Sequence, residues 1–218
     1  MADFALMRSN MVKNQVLPEK ITNSCLIEAL SKIPRERFVP RQLARIAYMD
    51  ENFPFNKGRV LLRPALFARL LQALNPMPSS KILYIGGGTG YGPALLGQMG
   101  PQVIALDSED ILTQEADHLL AEIDITTVEV VLGPLAEGWE AEAPYDKMMI
   151  EGSIDFIPQS LLSQLKEGGE IIALRYRKEE GNDAIKCVKK EGNLITISLF
   201  DAFAPRLEGF HKTKAFVF

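Results

Sequence analysis

Residues 82–91 read Ile82-Leu83-Tyr84-Ile85-Gly86-Gly87-Gly88-Thr89-Gly90-Tyr91, an apolar run that breaks into four glycines. Glycines let a chain turn sharply and approach a ligand with no Cβ in the way. A helix starting just after them offers unpaired N–H groups to a polar ligand. Asp107 follows about twenty residues later, at the end of the next apolar run. A carboxylate there can accept hydrogen bonds from both ribose hydroxyls of an adenosine moiety. The expected ligand contacts are Tyr84, Gly86, Gly87, Gly88, Gly90, Tyr91, Asp107 and Ser108. The dinucleotide pattern GxGxxG needs a further glycine at position 91 or 93, where Tyr91 and Pro93 stand. The spacing Gly86-x-Gly88-x-Gly90 is instead the form found in S-adenosyl-L-methionine binders.

Other chemistry is excluded more simply. Cys25 and Cys187 are far apart and in no CxxC pattern, so neither a disulfide framework nor a thiolate zinc site is expected. The histidines, His118 and His211, are isolated from any metal or triad spacing, and no metal is expected. A formal net charge of −4 gives no electrostatic footprint for nucleic-acid binding. The N-terminus lacks a signal-peptide pattern and no window is apolar enough to span a membrane, so a cytoplasmic protein is the default expectation.

The elements that must position these residues alternate. Lys81–Ile85, Val103–Asp107, Val128–Leu132, Lys147–Glu151 and Glu170–Leu174 read as short strands. Helices are expected at Pro93–Met99, Ile111–Ile123 and Pro158–Lys166, the last closed by Gly168-Gly169. This alternation implies a mostly parallel sheet covered on both faces. Ala184–Lys189 and Leu194–Phe200, separated by Lys190-Glu191-Gly192-Asn193, form a hairpin signal, and Ala215–Phe218 offers a further edge strand. Upstream, Asn23 and Ser24 can cap a helix carrying Leu26, Ile27, Leu30 and Ile33, and a second helix spans 64–75 with Pro64 in its first turn. The expected organisation is an N-terminal helical segment, 1–75, packed on an α/β domain, 76–218, as one structural unit. The run Ala204–Phe210 has the makings of an ordered loop that covers a site or a sheet edge.

Several motifs extend the pattern over nearly the whole chain. These are Met11-Val12-Lys13-Asn14-Gln15, Ile33-Pro34-Arg35-Glu36-Arg37-Phe38-Val39-Pro40, Ala47-Tyr48-Met49-Asp50, Gly138-Trp139, Ala143-Pro144-Tyr145-Asp146 and Leu165-Lys166-Glu167-Gly168-Gly169. In order and spacing they resemble the protein-L-isoaspartate O-methyltransferase family. The resemblance implies a Rossmann-like class I methyltransferase fold, with an antiparallel C-terminal hairpin and the N-terminal helical extension. It also implies S-adenosyl-L-methionine as cofactor, S-adenosylhomocysteine as its product, and a protein or peptide carboxylate as acceptor.

The sequence departs from the family pattern in three places. Its acceptor loop, GQTISQP, is here Gly58-Arg59-Val60-Leu61-Leu62-Arg63-Pro64, without a hydroxyl. Arg59, Leu62 and Arg63 are the acceptor-side candidates. The two arginines either clamp an anionic group or lie solvated on the surface. Tyr84 stands where the family ends its first strand with an acid, and Pro134 stands where a family Asp meets the adenine amino group. The sequence thus supports a methyltransferase with a changed acceptor, or alternatively a catalytically degenerate homologue that binds cofactor or protein partners.

Overall fold

The computed structural model describes residues 2–54, 59–179 and 181–211. Gly58 and the Ala215–Phe218 strand expectation lie outside them. A seven-stranded sheet organises the chain: β3 (Lys81–Ile85), β4 (Gln102–Asp107), β5 (Val128–Leu132), β6 (Tyr145–Ile154), β7 (Leu165–Arg175), β8 (Asp183–Lys190) and β9 (Asn193–Asp201). Their spatial order is β5-β4-β3-β6-β7-β8-β9. Pairing is parallel from β5 through β7 and antiparallel from β7 to β8 to β9, so the hairpin reading holds. A separate two-stranded ribbon pairs β1 (Phe53–Pro54) with β2 (Val60–Leu61).

Strand periodicity divides the core into two faces. Ile82, Tyr84, Met149, Ile172 and Leu174 join one cluster; Leu83, Ile85, Met148, Ile150, Ile171 and Ala173 join the other. The first face is covered by α2 (Ser24–Lys32), α3 (Pro64–Leu74) and α4 (Tyr91–Met99), with α5 (Asp110–Glu122) adding Leu119 and Leu120. The opposite face is covered partly by α6 (Gln159–Gln164), through Leu161, and by Leu207 and Phe210 from the C-terminal loop.

The N-terminal segment is capped as its sequence suggests. After α1 (Phe4–Met11) and one wider helical turn over Val12–Val16, the Asn23 side chain accepts from Leu26 N at 3.0 Å and starts α2. Pro34 and Pro40 confine Arg35–Arg37 to a single tight turn. Buried residues from this segment and from the sheet share one cluster.

Two boundaries differ from expectation. The glycine pair does not close a helix: α6 ends at Gln164, and β7 has begun at Leu165, whose pairing with Tyr145 precedes a register break before Lys147 meets Glu170. Residues 166–169 are therefore a bulge, with Gly168 at φ +75°, where L residues are strained. Strand β6 is also longer than its apolar core, because pairing with β7 resumes from Ser153 to Ile154.

Candidate active site

The sheet reverses its winding at β3, whose neighbours β4 and β6 lead to opposite edges. Crevices at the carboxyl ends of strands at such a point are where open α/β sheets bind ligands. Four predicted features meet there: the glycine loop after β3, the start of α4, Asp107 ending β4, and Ser108 beyond it. Gly86, Gly88 and Gly90 have φ of +78°, +55° and +93°, so the loop geometry requires glycine.

The loop is tied to the N-terminal motifs. Thr89 Oγ1 donates to Phe38 O at 2.6 Å. The Arg35 guanidinium, fully buried, donates from Nε to Ala47 O at 2.7 Å and from Nη2 to Leu62 O at 2.8 Å. Gln15 Nε2 reaches Tyr48 O at 2.8 Å. Asp50 accepts from Ala65 N at 3.0 Å at the start of α3 and from Arg63 Nη1 at 2.7 Å. The sequence motifs thus hold one another, and together they set the path of Val60–Pro64.

The expected site residues fall differently. Asp107 and Ser108 face Arg59. Arg59 Nη2 lies 3.1 Å from Asp107 Oδ1 and 3.0 Å from Ser108 Oγ, and both members of the ion pair are almost completely buried. The surface alternative for Arg59 is therefore corrected, while Arg63 is half exposed beside Asp50. Leu62 is fully buried. Tyr91 packs its ring near Phe38 and Phe67, with the Arg35 guanidinium 5.1 Å from its centroid; its side chain belongs to the core around the N-terminal motifs. Tyr84 lies beneath the loop, its ring 3.1 Å from where a Cβ on Gly87 would stand.

Glu151 was not legible as a site residue. It is an acid in the apolar run Met148-Met149-Ile150-Glu151-Gly152, and that mismatch was the available signal. Its Oε2 accepts from the Tyr84 hydroxyl at 2.6 Å. Burial pushes its carboxyl up to about 7; the Tyr84 hydroxyl, the Leu62 N–H and Arg35 hold it down in part, and Asp107 raises it. The Tyr84 hydroxyl is raised well above its ordinary range by the same burial and by Glu151.

The C-terminal loop covers the same crevice. Ser153 N donates to Pro205 O at 2.9 Å, Leu207 N donates to Ser153 O at 2.8 Å, and Ser153 Oγ donates to Ala204 O at 2.7 Å. This strap places Leu207 against Gly86 and Gly152: Cβ atoms on those glycines would come within 3.1 and 3.0 Å of its side chain. Beyond Asp107 the crevice opens into a cavity of about 590 Å³ lined by Ser108, Glu109, Asp110, Leu132, Pro134 and Glu208, among others.

Strand order, glycine loop and acid together define a class I methyltransferase-type fold. The family model described as Protein-L-isoaspartate(D-aspartate) O-methyltransferase (PCMT) matches residues 7–201. Curated proteins named protein-L-isoaspartate O-methyltransferase from Methanoculleus marisnigri and Gloeobacter violaceus are 34% and 33% identical, covering 88% and 87% of this chain and 87% and 93% of their own. The chain belongs to the protein-L-isoaspartate O-methyltransferase family, whose members are methyltransferases that use S-adenosyl-L-methionine. Among solved structures, a protein-L-isoaspartate O-methyltransferase aligns with TM-score 0.81 at 22% identity, over 93% of this chain and 66% of that one. A putative Plasmodium falciparum family member, in complex with S-adenosyl-L-homocysteine, aligns with TM-score 0.78 at 18% identity, over 95% and 99%. Among the described residues, no helix is long and apolar enough to cross a membrane, and no group of three or more His, Cys, Asp or Glu could hold a metal ion.

In this arrangement several of the chain's own side chains stand where contacts to the methyl donor are expected. The cavity beside Ser108 is open. Asp107, however, is engaged by Arg59, the space beneath the glycine loop is filled by Tyr84, and Gly86 is covered by Leu207. Between the loop, β4 and α5 a cavity of about 10 Å³ remains, on the order of the space for a single water.

Proposed function

We propose that this chain is an S-adenosyl-L-methionine-dependent methyltransferase of the isoaspartyl-methyltransferase type, acting on an acceptor other than the family's isoaspartyl carboxylate. The observation that carries the cofactor half is the position of the glycine loop and Asp107 at the sheet's reversal, next to the cavity past Ser108. The acceptor half rests on the loop from 59 to 63. It offers no hydroxyl, Leu62 is buried, and its carbonyl is taken by Arg35. An acceptor carboxylate buried there without donors would lose several kcal/mol, about enough to erase binding.

Calorimetric titration with S-adenosyl-L-methionine and S-adenosylhomocysteine tests the cofactor half; binding is expected. A radiolabelled methyl assay on an isoaspartyl peptide tests the acceptor half. Weak or no transfer is expected, and robust turnover would refute the changed acceptor. The second reading, a degenerate homologue that serves as a binding domain, draws on Tyr84 and Leu207 filling the crevice. It gains if neither ligand produces heat at millimolar concentration.

A further inference from the structure

The carboxylate expected to meet the donor's ribose is already saturated by the chain itself. Asp107 Oδ1 accepts from Arg59 Nη2 at 3.1 Å, from Ser108 N at 2.8 Å and from Glu109 N at 3.2 Å. Oδ2 accepts from Gly88 N at 3.1 Å and lies 3.4 Å from Arg59 Nε. A carboxylate offers roughly four lone-pair directions, and these contacts use them. The guanidinium approaches with two nitrogens, the geometry in which arginine binds a carboxylate best. Its Nη2 also holds Ser108 Oγ at 3.0 Å, so a second polar group at the mouth of the cavity is engaged by the same side chain.

We propose that Arg59 is a built-in competitor for the donor's ribose, the residue that sets how tightly this enzyme holds its adenosine-bearing ligand. The proposal rests on the methyltransferase reading above. The chemistry is a simple exchange. Two ribose hydroxyls and one guanidinium require the same acceptor atoms, so one leaves when the other arrives. The pair's side chains are only 3% and 5% exposed, so water does little to weaken it. The departure from the family pattern falls at the same position. A glutamine there is neutral and forms no ion pair with Asp107; an arginine does. No acidic residue but Asp107 is paired with Arg59 among the described contacts, so the guanidinium gives up its charge partner whenever the ribose binds.

The test is calorimetry of the full chain with S-adenosylhomocysteine, which binds without turning over. Wild type is compared with Arg59→Gln and Arg59→Met, and with Arg69→Gln as a charge-matched control, since Arg69 pairs with Glu19 and stacks on Phe200 away from the crevice. Thermal melts establish that each protein is folded, and either Arg59 variant alone suffices if the other does not fold. The proposal expects the Arg59 variants to bind at least tenfold more tightly than wild type, with Arg69→Gln unchanged. Equal or weaker binding in the Arg59 variants, with wild type binding measurably, overturns the competitor role and leaves the methyltransferase reading intact. No binding by any folded protein overturns both.

Discussion

The Tyr84 hydroxyl donates to Glu151 across the boundary between β3 and β6, and the two residues together fill the floor of the crevice where the sheet reverses. The family ends its first strand with an acid at the position of Tyr84. In this chain the acid stands one strand over, with a phenol between it and the glycine loop. The carboxyl is therefore buried against a neutral donor instead of facing the crevice.

This burial makes stability pH-dependent in a definite direction. Glu151 has a folded pKa raised from 4.5 to about 7, so its contribution is fully present below about 4.5 and is lost as pH rises through about 7. A shift of that size corresponds to roughly 3 kcal/mol. Glu151→Gln removes the titrating group while keeping the shape. Measured by urea unfolding from pH 5 to 8.5, the stability of this variant relative to wild type should rise by up to that amount. A difference that stays flat with pH would show that Glu151 does not titrate in this window.

Tyr84→Phe separates the phenol from the acid. The hydroxyl stabilises the ionised carboxylate, so its loss should move the Glu151 midpoint further upward. It should also cost about 1–3 kcal/mol near pH 8, the penalty of leaving a buried acceptor without its donor. The same pH series on Tyr84→Phe and on the double variant with Glu151→Gln measures the coupling. Additive effects would mean that the 2.6 Å contact carries no energy.

Gly92 is held to glycine by Tyr84. A Cβ at Gly92 would fall on the Tyr84 hydroxyl, inside van der Waals contact, although Gly92 sits in α4, where alanine is otherwise preferred. Gly92→Ala should therefore destabilise the protein by about 1–3 kcal/mol, the cost of overpacking. Tyr84→Phe in the same chain should recover part of that loss, because the hydroxyl is the nearest atom. A Gly92→Ala protein as stable as wild type would show that the ring has room to move.

The fold was legible because its signals are local. The short apolar run Ile82–Ile85, the cap at Asn23 and the proline at the start of α3 each act within a few residues, and each of these elements stands where its pattern placed it. The glycine pair at 168–169 misled, since a helix stop and a strand bulge use the same residue. The site was legible only in outline. The glycine loop and Asp107 announce themselves by type and spacing, but what satisfies them does not. Arg59 reaches Asp107 across 48 residues of sequence, and Glu151 meets Tyr84 across 67. Such pairings depend on strand order and on which face each side chain takes, which no local pattern encodes. Even Cys25 and Cys187, alike in sequence, separate in the structure: one is exposed and the other buried beside Thr196.

The C-terminal strap supplies a further prediction. Leu207 is nearly fully buried and rests on Gly86 and Gly152, where the lack of side chains lets it approach the backbone. Three backbone bonds dock the strap at the end of β6: Ser153 N to Pro205 O, Leu207 N to Ser153 O and Asp155 N to Phe210 O, with Ser153 Oγ donating to Ala204 O beside them. Leu207→Ala should cost about 2–3 kcal/mol, toward the low end for a buried leucine because the loop can settle into the gap. The loss should appear first as local opening, since a strap held at its ends by a few bonds and by Leu207 and Phe210 has far fewer ties than a central strand and releases before the sheet does. Hydrogen exchange at the Ser153 and Leu207 amides should accelerate well beyond the change at Leu83 and Ile104 in the centre of the sheet. Uniform acceleration across all four amides would mean that the strap unfolds only with the whole protein, and that Gly86 is uncovered no more easily than the core.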